Sequence, residues 1–112
     1  MKLLVFILNK TEALDGFLNE LARHHQTGAT IVSSKGMMRA VSDQNELSFL
    51  GSLRAILDPD REDNKTILLV VKDEAAVANV RECIRNTVGD LSRPDTGILF
   101  TVPVDYVEGI QF

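Results

Sequence analysis

Apolar residues recur along the chain in four short runs, Lys2–Leu8, Ala29–Ser34, Lys65–Lys72 and Ile98–Val104, each of strand length. After the first and third runs the spacing changes. Leu14, Phe17, Leu18, Leu21, Ala22 and His25 recur at the interval of one helical stripe, and so do Val77, Val80, Ile84 and Val88, while Arg81, Glu82 and Arg85 fall off that stripe. Asn9 or Thr11 is expected to cap the first helix and Gly28 to end it; Asp73 is placed to cap the second.

Strand, helix, strand written twice predicts an α+β chain of βαββαβ order, a ferredoxin-like sandwich with both helices on one face of a four-stranded sheet. The other face is then uncovered. In the first run Leu3, Val5 and Ile7 alternate with Leu4, Phe6 and Leu8, and in the third Ile67, Leu69 and Val71 alternate with Leu68 and Val70. A strand wetted on one side shows polar residues at every second position, and these do not. One face meets the helices, and the other is expected to meet a second copy of the same chain.

The stretch from Gly36 to Asn64 is too long for an ordinary connection, which makes it either functional or disordered, and its apolar residues argue against simple disorder. Within it Phe49, Leu50, Leu53, Ile56 and Leu57 fall near helical spacing, Asp58-Pro59-Asp60 reads as a stop, and Gly51 weakens the helix. The expectation is one domain, residues 1–112, with a long loop at 36–64 whose short helix seals an apolar edge.

Composition narrows the function. A net charge of −4 argues against a nucleic-acid surface, which concentrates Lys and Arg. The single cysteine, Cys83, excludes an intrachain disulfide and suits a reducing compartment; beside the second helical stripe it reads as a small buried hydrophobe. Apolar runs fall short of a membrane span, and Leu3–Leu8 is too short for a secretory segment, so a cytoplasmic protein is expected. His24 and His25 are neighbours on a helix end, about 100° apart, and read as partners of the helix dipole, with no metal site expected. Glu12, Asp15 and Glu20 read as a solvated helix face. Tyr106 either stacks on a base or packs under the C-terminus.

Three stretches, in this order and strand context, resemble the PII-type signalling proteins of the nitrogen-regulatory superfamily. Ser34-Lys35-Gly36-Met37-Met38-Arg39 resembles the start of that family's long loop, Asp95-Thr96-Gly97 stands where its phosphate loop would be, and Leu99-Phe100-Thr101-Val102-Pro103-Val104-Asp105-Tyr106-Val107 is similar to its last strand. The resemblance implies a homotrimer with its sheets packed centrally and an adenine nucleotide in each cleft between subunits. It implies ligand-binding residues Gly36, Met37, Met38, Arg39, Lys65, Arg93, Asp95, Thr96 and Gly97, no catalytic residue and no prosthetic group. It also implies a regulated partner, a membrane transporter or an enzyme.

The chain departs from the family at several cations. Ile98 follows the phosphate-loop glycine where a basic residue is usual, Gly109 and Gln111 stand at the positions of two arginines, and Asn64 stands at that of a lysine, with Lys65 one place along. Each missing charge-assisted contact weakens phosphate binding by about 1.5–3 kcal/mol. AMP or ADP is therefore expected to be favoured over ATP. The loop has no tyrosine to modify. Alternatives are a structural or metal-related trimer similar to the CutA proteins, and a small phosphoryl-transfer enzyme, the latter opposed by the lack of a nucleophile set beside a base.

Overall fold

The computed structural model describes residues 1–37, 40, 41 and 63–112. Among the described residues four strands, β1 (Lys2–Leu8), β2 (Thr30–Ser33), β3 (Lys65–Val71) and β4 (Gly97–Pro103), accompany the α-helices α1 (Leu14–Arg23) and α2 (Glu74–Thr87). The sheet runs β2-β3-β1-β4 and every pairing is antiparallel. Strands β1 and β2 are therefore parallel to each other with β3 between them, the split arrangement that a helical crossover requires. This is a small α+β fold compatible with the ferredoxin-like sandwich.

The core lies between one sheet face and the helices. Leu4, Phe6 and Leu8 of β1 and Ile67, Leu69 and Val71 of β3 are buried together with Phe17 and Leu21 of α1 and Val77, Val80, Cys83 and Ile84 of α2. Phe6 meets Phe17 edge to face, ring centroids 5.2 Å apart, a geometry the ring quadrupoles favour.

The opposite face carries Leu3, Val5 and Ile7, then Leu68 and Val70, then Ile98, Phe100 and Val102, as the register dictates. Phe100 is 46% exposed and Ile98 57%. The two-sided apolar strands read from sequence thus become one buried face and one open apolar face.

Local expectations meet mixed outcomes. Asp73 caps α2, its Oδ1 accepting from the Ala76 N–H at 2.9 Å. Neither Asn9 nor Thr11 caps α1. A 3-10 turn, Thr11–Ala13, leads into α1 without a side-chain cap, because the side chain of Asn9 is engaged across the sheet end. Nor does Gly28 end α1. His25 takes the left-handed backbone (φ 61°), with Gln26 N–H donating to Leu21 O and His25 N–H to Ala22 O; this is a Schellman closure three residues before Gly28. Ala22 and His25 are accordingly exposed, outside the core stripe. The helix expected at Phe49–Leu57 lies outside the described residues.

Candidate functional site

Sheet register gathers the predicted ligand residues at one end of the molecule. Leu8 ends β1; it pairs with Lys65 on one side and Gly97 on the other, and Lys65 pairs in turn with Ser33. One row thus runs Ser33, Lys65, Leu8, Gly97. The segment leading to Gly36 and Met37 leaves the β2 edge of that row, and Arg93, Asp95 and Thr96 arrive at the β4 edge. Three strand spacings of about 4.8 Å place the edges about 14 Å apart. Met38 and Arg39 lie outside the described residues.

Hydrogen bonds fix the β2 side. Ser34 Oγ is 2.5 Å from Asn64 Oδ1 and 2.7 Å from Thr66 Oγ1, and Lys65 Nζ donates to Ser33 Oγ at 2.9 Å. Asn64, standing where the family resemblance would put a lysine, ties the loop's two ends together. Its Nδ2 also donates to Asn9 Oδ1 at 3.2 Å. Met37 is 80% exposed.

On the β4 side the carbonyl of Thr96 accepts from the backbone N–H groups of Asn9, at 3.0 Å, and Lys10, at 3.2 Å. Asn9 therefore reaches both halves of the row, by side chain to Asn64 and by backbone to Thr96. Asp95 holds a left-handed backbone (φ 56°) that aims the turn into β4. Gly97 has a packing reason to be glycine, because a Cβ there would stand 2.8 Å from Ile7 O and 3.0 Å from Phe6 Cε1.

A cavity of about 340 Å³ opens beside this turn, lined by Lys10, Val88, Gly89, Asp90, Arg93 and Thr96. Lys10 was not among the sequence-predicted residues. Its Nζ lies 3.4 Å from Val88 O, so two cations, Lys10 and Arg93, share one cavity. Two hydrogen bonds from Ser92, from N–H at 2.9 Å and Oγ at 2.8 Å, hold the Asp90 carboxyl below the usual carboxylate range, and Arg93 adds to this. A basic residue following the end of β1 at the phosphate-loop side was the signal that could have found Lys10.

Other sequence readings are corrected. Glu20 does not belong to a solvated face; its side chain is 18% exposed and its Oε1 lies 3.5 Å from His24 Nε2. Tyr106 is exposed and donates its hydroxyl hydrogen bond to Glu108 rather than packing under the C-terminus. That bond, by stabilising the phenol, raises its pKa. Among the described residues no helix is long and apolar enough to cross a membrane. Protein-family models and curated proteins give no match to this chain.

Proposed function

We propose that the chain is a divergent PII-like regulatory protein, a non-enzymatic cytoplasmic homotrimer that binds AMP or ADP in clefts between subunits and transmits the binding through its long loop to a transporter or enzyme. The observation that carries the reading is the open sheet face of Leu3, Val5, Ile7, Leu68, Val70, Ile98, Phe100 and Val102. An apolar surface of that extent on a small chain is characteristically covered by a partner. Like faces of identical chains cover one another.

The separation of the candidate ligand segments also favours a ligand position between subunits. Within one chain the Gly36 and Gly97 segments leave opposite sheet edges, about 14 Å apart, so one nucleotide phosphate does not reach both. Two subunits placed side by side bring one β2 edge to the other's β4 edge. Lys10 and Arg93 then offset phosphate charge, while the nearby Asp90 carboxylate opposes a further negative group. That balance favours a mono- or diphosphate over a triphosphate.

Titration calorimetry with AMP, ADP and ATP at matched magnesium tests the reading. The expected result is saturable heat from AMP or ADP with weaker binding of ATP; tighter ATP binding contradicts the charge argument. A second reading, a structural trimer similar to the CutA proteins, draws on Gly97, whose lack of a side chain is already accounted for by Ile7 O. Absence of heat from all three nucleotides selects it.

A further inference from the structure

Between α1 and α2 three side chains of metal-ligating type come together. Glu20 and His24 stand four residues apart on α1, the spacing that puts both side chains on one face, and Cys83 of α2 comes against them. One carboxylate oxygen, one imidazole nitrogen and the Cys83 sulfur all lie within 4.8 Å of one another. Arg23 Nη1 lies 3.4 Å from Glu20 Oε2, so Oε1 is the oxygen turned to His24, at 3.5 Å from Nε2. The thiol is fully buried, whereas Glu20 is 18% and His24 35% exposed. The group thus has a buried sulfur and a partly exposed rim of carboxylate and imidazole.

We propose that Glu20, His24 and Cys83 form a binding site for a borderline-soft divalent cation of the zinc class, with a fourth position open to water through the rim. Around a tetrahedral zinc, with bonds of about 2.0–2.3 Å, ligand atoms stand about 3.3–3.7 Å apart. The Glu20–His24 pair already has that separation, and the thiol is at most about 1.5 Å beyond it. Mixed sulfur, nitrogen and oxygen donors suit zinc, cobalt or copper and do not suit calcium or magnesium, which take oxygen.

Charge is consistent with the same choice. Thiolate and carboxylate together balance a dication, so the loaded site is neutral with a neutral imidazole. Without the ion, burial pushes the Cys83 thiol up, with Glu20 and Glu82 adding to the effect, and the sulfur stays protonated. Binding breaks the S–H bond, forms the metal–sulfur bond and releases one proton to solvent. The site lies among the helices, on the far side of the sheet from the open apolar face, and does not depend on the nucleotide reading.

The test is a titration of the full chain, freed of metal, with Co²⁺ followed by optical absorption and then by Zn²⁺ competition. Because Cys83 is the one cysteine in the sequence, any thiolate-to-cobalt charge-transfer band reports this sulfur. The site predicts such a band at one equivalent, its loss on adding Zn²⁺, and its absence in Cys83→Ala. His24→Gln and Glu20→Gln, at the partly exposed rim and so compatible with folding, each weaken Co²⁺ binding tenfold or more. No thiolate band in folded wild-type protein overturns the proposal. So does Co²⁺ affinity that is the same in His24→Gln and Glu20→Gln as in wild type, which also decides the matter should Cys83→Ala fail to fold.

Discussion

At the scale of single residues, side chains that look alike in sequence divide by what meets them. Gly97 sits against the Ile7 carbonyl, so a methyl group there meets backbone that cannot step aside. Gly97→Ala is expected to lose about 1–3 kcal/mol of stability, the usual cost of overpacking, measured as a lowered urea midpoint. Asp73 holds the first turn of α2 through Ala76 N–H; Asp73→Ala is expected to lose about 1 kcal/mol by the same measurement. Cys83 gives a pH dependence. Its folded-state pKa is raised by burial, so the native state holds the proton more tightly than the unfolded state. Its contribution is fully present below the unfolded thiol value of about 8.5 and is lost as pH rises from there through the folded value. Metal-free wild type is expected to lose stability above that pH more steeply than Cys83→Ala, as chemical denaturation across alkaline pH reads out.

Elements were legible in proportion to how local their causes are. The central strands could be read because β1 is apolar at every position from Leu3 to Leu8 and β3 from Ile67 to Val71, and the Asp73 cap because its hydrogen bond spans three residues. The α1 ends could not be read from neighbours alone. Asn9 has the chemistry of a cap, yet Asn64, distant in sequence, takes its side chain; His25 adopts the left-handed turn expected of Gly28. Glu20 looked solvated because no local pattern reveals that Cys83 arrives opposite it. In the candidate site, the Gly36 and Gly97 segments were named by resemblance, whereas Lys10 was not, because what brings it beside Arg93 is the hydrogen bonding of Asn9 and Lys10 N–H to the distant Thr96 carbonyl. That register also separates two strand faces that sequence could not distinguish: Leu4 is buried under the helices and Val5 lies on the open face. Val5→Lys is expected to leave the chain folded, by circular dichroism, while breaking the proposed trimer. Leu4→Lys puts an unpaired charge in the core, at a cost of several kcal/mol, and is expected to unfold the chain.

For the whole molecule, the proposed assembly would account together for the open apolar sheet face and for the candidate ligand segments lying at opposite sheet edges. Stacking the faces removes apolar area from water, at about 25 cal/mol per Å², and the same contact brings complementary edges together. Nucleotide binding in the proposed cleft is expected to act where the long loop begins, at Gly36, and so to change hydrogen exchange over residues 41–64. Unchanged exchange there at saturating nucleotide would make the protein a static binding module rather than a switch. All of this requires the assembly. The most direct measurement is therefore the mass of the wild-type protein by light scattering during size exclusion at micromolar concentration. The account predicts a single species of three times the 12.4 kDa chain mass; a monomer at that concentration would contradict it.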